Sequence, residues 1–118
     1  MISKMRVMLY VDDVSVINDF WQQAIGATVV ETLALPEQYQ GIVLAVTDEI
    51  ELALFPKAFI RKFSPEVLHG TPSLMLFSDA FKTLHQQIPG AGAIVDNNGT
   101  LTFNFADPEG NYFVIAKK

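Results

Sequence analysis

The chain has 118 residues, a formal net charge of -5, 50% hydrophobic residues and no cysteine. That composition fits one folded domain with a real core, and it excludes disorder, disulfides, thiolate nucleophiles and zinc–cysteine sites. The acidic balance without a basic cluster weighs against nucleic acid as a partner, no apolar run reaches the ~18 residues of a membrane span, and "MISKMRVMLY" is too short and strand-like for a signal peptide; a cytoplasmic protein is expected.

In "RVMLYV", Val7, Leu9 and Val11 alternate with Arg6, Met8 and Tyr10, a strand pattern. Asp12 and Asp13 supply a helix start, and Ile17, Phe20, Trp21, Ala24 and Ile25 follow helical spacing until Gly26 ends the run. Three strands are expected near 28–33, 42–47 and 49–55, the last two joined by a tight hairpin at Asp48. Residues 56–72 read as a connector with three prolines, in which Phe59, Ile60 and Phe63 form a short packed helix. The order then repeats. "SLMLF" is a strand, Asp79 a helix start, and Phe81, Leu84 and Ile88 the helix face, stopped by Pro89-Gly90. Further strands are expected at 93–96, 100–106 and 111–116, with "DNNG" and "DPEGN" as turns. Each half therefore reads strand, helix, strand, strand, strand. "QQAIGA" resembles "QQIPGAGA", and "VTDEIELAL" resembles "FADPEGNYFVIA".

Alternation divides the strands into two faces. Val7, Leu9, Val11, Ile50, Leu52, Leu54, Leu74, Leu76, Phe113 and Ile115 form the aliphatic face expected to lie under the helices. Arg6, Met8, Tyr10, Glu49, Glu51, Ala53, Phe55, Ser73, Met75, Phe77, Tyr112 and Val114 fall on the other face. That mixture reads either as a partly solvated sheet face or as the lining of a ligand cavity.

"MLYVDDVSVINDFWQQAIGA", "FADPEGNYFVIA" and the repeated order resemble the vicinal oxygen chelate superfamily, which includes glyoxalase, extradiol dioxygenases and bleomycin-resistance proteins. The resemblance spans nearly the whole chain. It implies an α+β fold of two tandem βαβββ modules, 1–56 and 72–118 with a connector at 57–71, whose mixed sheet curls around a cavity. Metalloenzymes of that group hold a divalent ion on four strand positions, and the resemblance places these on Arg6, Glu51, Ser73 and Val114. Arg has no lone pair to offer, neutral Ser is a poor ligand and Val is none, so only Glu51 suits an ion. One carboxylate does not hold a catalytic first-row ion, so no metal and no cofactor are expected, and metal-dependent chemistry is disfavoured.

Arg6 and Glu51 are expected on edge strands of one half, where they pair either to anchor a polar ligand group or as a structural salt bridge. Tyr10, Phe55, Phe77 and Tyr112 are the candidate apolar lining, with Ser73, Asn104 and Thr102 as hydrogen-bonding groups. Asp12, Asp13 and Asp79 read as helix caps, Trp21 as core and His85 as exposed; His69 lies too far from Ser73 along a strand to replace it. No Ser-His-Asp or Cys-His arrangement is present in the pattern. The resulting expectation is a non-catalytic, homodimeric protein of bleomycin-resistance character. It would sequester a polar aromatic or cationic small molecule, without nucleic-acid or membrane partners. The alternatives are a metal-dependent lyase or dioxygenase with a displaced site, and an interaction module whose cavity is filled by Met8, Tyr10, Met75 and Phe77.

Overall fold

The computed structural model describes residues 1–118, and the chain divides into two compact units, Met1–Pro72 and Ser73–Lys118. The fold is α+β, with one four-stranded mixed sheet in each unit, and neither sheet is closed. No helix is long and apolar enough to cross a membrane.

The first unit runs β1 (Met5–Val11), α1 (Val14–Phe20), β2 (Thr28–Ala34), β3 (Gln40–Ala45) and β4 (Ile50–Pro56), then α2 (Lys57–Phe63). Asp13 caps α1 as its spacing implied. Its backbone is extended, and its Oδ1 accepts the Val16 N–H at 3.2 Å. A π-helical turn, Trp21–Ile25, continues α1 and ends at Gly26, whose φ of 85° suits a residue without a Cβ. Trp21 and Ile17 are fully buried on the inner face of this helical segment. The strand order is β1-β4-β3-β2, with β1 parallel to β4 and the other pairs antiparallel. β4 is thus interior, not the edge strand expected for Glu51.

The turn into β4 is looser than a hairpin at Asp48. Residues 46–49 separate the strands, and Thr47 Oγ1 accepts the N–H groups of Glu49 and Ile50. The aliphatic face holds Leu9, Val11, Leu52 and Leu54 in the core, whereas Ile50, at the strand's first position, is exposed. Ala53 lies on the opposite face yet is fully buried, because a methyl group set beside Met8 and Val43 in register is shaded by larger neighbours.

The second unit runs β5 (Met75–Ser78), α3 (Phe81–Gln87), β6 (Val95–Asn97), β7 (Thr100–Ala106) and β8 (Tyr112–Lys117), in strand order β5-β8-β7-β6. It repeats the topology of the first. Phe103, Phe105, Phe113 and Ile115 form its core. Asp79 does not cap α3. The N-cap position is Ala80, without a side-chain cap, and Ser78 Oγ accepts the Ala80 N–H instead. His85 is not an exposed helix residue. Its Nε2 donates to the Gly92 carbonyl at 2.8 Å, and its ring stands edge-on to Phe103 with centroids 4.8 Å apart. Both turns of this unit are built as their residues imply. Asn98 and Gly99 take φ of 55° and 90°, and Asp96 Oδ1 accepts the Gly99 N–H.

Candidate functional site

The face of the first sheet away from α1 carries three rows in register. They are Arg6–Glu51–Ala45, Met8–Ala53–Val43 and Tyr10–Phe55. The first row is charged and the last aromatic, so this one face has a polar end and an apolar end.

At the polar end Glu51 is only 7% exposed. Its Oε1 accepts from Arg6 Nε at 3.0 Å and lies 3.0 Å from Arg6 Nη2, while its Oε2 accepts from Lys4 Nζ at 3.0 Å. Both Arg6 contacts fall on one oxygen, which leaves the other for Lys4. The Arg6 guanidinium also lies 3.6 Å from Glu31 Oε1. Glu31 reaches this face because the pairing of β2 with β3 slips between Val29 and Glu31. Without that bulge, strict alternation would turn Glu31 to the other side. The hydrogen bond from Lys4 holds the Glu51 carboxyl below its ordinary value of 4.5, against the opposing effect of burial and with further help from Arg6.

A carboxyl depressed in the folded state contributes stability that is present above its unfolded value and is lost as pH falls through the folded one. The stability gap between the wild type and Glu51→Gln should therefore be widest near neutral pH and should shrink below about pH 4.5. Urea midpoints of both proteins between neutral pH and pH 3 measure it. A gap that stays constant with pH would show that Glu51 is not ionically held.

At the apolar end the Tyr10 and Phe55 rings meet edge-on at 6.3 Å. Phe55 stacks on Phe59 of α2 at 6.3 Å, and Phe59 in turn meets Tyr39 at 5.8 Å and Phe63 at 5.0 Å. The β2–β3 loop that carries Tyr39 takes positive φ at Glu37 and Gln38, and Glu37 pairs with Lys62 of α2. Tyr39 and Phe59 extend the aromatic end beyond the residues legible from alternation. Nothing in strand parity points to them, since α2 and this loop meet only in three dimensions.

In the second unit, Met75 and Val114 are register partners on β5 and β8, and Asn104 faces Val114 from β7. Phe77 and Tyr112 are 61% and 69% exposed, Asn104 is exposed, and Thr102 is buried at 5%. Ser73 is exposed and precedes β5, so it is not the strand residue expected. Pairing begins only where the Val114 N–H donates to the Leu74 carbonyl. The residue directly across from Val114, as Arg6 is across from Glu51, is Met75. His69 is exposed on the connector, and no group of three or more His, Asp or Glu side chains gathers to hold an ion.

Residues 5–115 match the family model described as the Glyoxalase/Bleomycin resistance protein/Dioxygenase superfamily. Solved structures align over almost the whole chain. A superfamily member from Sphaerobacter thermophilus superposes with a TM-score of 0.79 at 15% identity, covering 98% of this chain and 96% of that one. TnmS3, an antibiotic binding protein from a Streptomyces species, gives 0.78 at 16% identity, covering 97% and 93%. Lactoylglutathione lyase from Agrobacterium tumefaciens gives 0.71 at 20% identity, covering 96% and 91%. No curated protein matches the chain in sequence.

Proposed function

The chain belongs to the Glyoxalase/Bleomycin resistance protein/Dioxygenase superfamily, and from that membership we propose that it is a non-catalytic protein that binds and sequesters a small molecule. The observation that carries this reading is the state of Glu51. It is the one carboxylate at the four positions where the family's metalloenzymes hold their ion, and both of its oxygens accept hydrogen bonds from cations. Arg6 offers no lone pair, Val114 no donor, and neither the Ser73 hydroxyl nor the Met75 thioether completes a set for a first-row catalytic ion. This donor set does not fit the family's metal.

The same face fits a ligand with a polar group and a flat apolar body. Arg6 presents a guanidinium on a side chain that is 38% exposed and already oriented by Glu51, which lowers the entropic cost of gripping a ligand carbonyl. Tyr10 and Phe55 supply apolar surface for an aromatic body. On the second sheet, Phe77, Asn104 and Tyr112 are the corresponding exposed contact groups. The antibiotic-binding description of TnmS3 supports ligand binding as a use of this fold. Homodimerisation belongs to the same reading, because members of this superfamily commonly pair βαβββ units across subunits.

A thermal-shift screen with polar aromatic compounds tests the reading. A ligand at about a hundred times its Kd adds roughly 2.7 kcal/mol, which for a domain of this size raises Tm by about 10 °C. Arg6→Ala should remove most of that shift for the best ligand. A shift of equal size in the variant would take Arg6 out of the site, and a screen without any hit would remove the sequestering function.

A further inference from the structure

We propose that the groove along the free edge of β1 takes an organic cation with a flat apolar body, an inference that rests on the small-molecule-binding reading and names its ligand class. β1 is the outermost strand of its sheet, so its far edge is not covered by another strand of that sheet. The connector after α2 runs beside it, and between them lies an open groove of about 530 Å³. That volume is within the ~300–1,000 Å³ of small-molecule sites. One wall is Met8 and Tyr10, and the other includes Glu66, Val67 and Pro72.

The chemistry of this lining selects for positive charge. Glu66 is the only charged residue in it, and its carboxylate is exposed and forms no ion pair within the chain. The face of the Tyr10 ring attracts a cation through its quadrupole, and the Met8 thioether is polarizable. Tyr10 is half-buried and braced edge-on by Phe55, so its ring is set before a ligand arrives. The opposite wall is also held. The Val67 N–H donates to the Ser64 carbonyl, Leu68 to Pro65 and Gly70 to Val67, in a run of consecutive turns. A preformed groove of this kind spends little free energy on ordering. An anionic aromatic would meet the Glu66 carboxylate and the chain's net charge of -5, and a neutral one would gain nothing from Glu66.

Fluorescence titration of the whole chain with ethidium, a flat cation, and anilinonaphthalene sulfonate, a flat anion, tests this directly. Glu66→Gln is the informative variant, because an exposed isosteric change leaves the fold intact. Ethidium should bind the wild type more tightly than the anion does. It should bind Glu66→Gln about fivefold more weakly, and that difference should narrow as salt rises to roughly 0.15 M. The anion should bind the variant better than the wild type. Equal ethidium affinity for the two proteins, a preference for the anion, or no ethidium binding at all would each overturn the cation site. Any of these alongside a hit in the thermal-shift screen leaves sequestration standing with another ligand class. An empty screen removes sequestration itself.

Discussion

Asp107→Ala is expected to cost about 3 kcal/mol of folding stability, a fall of roughly 10 °C in Tm for a domain of this size. Asp107 opens the "DPEGN" turn between β7 and β8 and is only 4% exposed. Its Oδ1 accepts the N–H groups of Glu109 and Asn111 at 3.0 and 2.9 Å, and its Oδ2 accepts from Asn111 Nδ2 at 2.8 Å. The backbone closes the same loop, with the Gly110 N–H on the Asp107 carbonyl and the Asp107 N–H on the Asn111 carbonyl. Alanine removes all three side-chain bonds at once and leaves the Asn111 amide without its acceptor. Hydrogen bonds to a charged acceptor are worth about 1.5–3 kcal/mol each and do not simply add, which sets the size of the loss. Asp107→Asn should cost less. Its oxygen can still accept the two backbone N–H groups, but its amide nitrogen would face the Asn111 donor. Urea denaturation of the three proteins measures the order. A cost under about 1 kcal/mol for the alanine variant would mean that Gly110, with φ of 80°, shapes the turn unaided.

The turn is therefore structural, although it looks like the chain's most distinctive motif. In the proposed function the family's fourth ligand position falls on Val114 of β8, whose side chain offers no lone pair.

Much of the fold was legible because its signals are local. Asp13 at the start of α1, Gly26 at its end, the period of two in β1 and β7, and the Asn98-Gly99 hairpin each act within a few residues. The Arg6–Glu51 contact was legible too, since a matched register on two strands of one module puts both side chains on one face. What was missed depends on distant neighbours. Lys4 precedes β1, and nothing local shows that it takes the second oxygen of Glu51. Glu31 arrives through a bulge that no alternation rule anticipates. His85 carries the exposure expected of a polar helix residue until the Gly92 carbonyl and the Phe103 ring are found beside it. Asp79 has the right chemistry for a cap but the wrong position, because α3 begins two residues later, at Phe81. The groove beside β1 was not legible at all, since it is made by a connector folding back along a strand.

One physical picture joins the two ends of the first sheet. In the proposed function, Lys4 and Arg6 occupy both oxygens of Glu51, and the Tyr10 and Phe55 rings at the other end offer surface to an apolar ligand. The sharpest test is elemental analysis of nickel, iron, zinc and manganese in the purified protein, repeated after reloading with each metal and dialysis. Occupancy far below one ion per chain is predicted, together with ligand-induced thermal shifts that a chelator leaves unchanged. Close to one tightly held ion per chain, lost when Glu51 is replaced by alanine, would contradict the account.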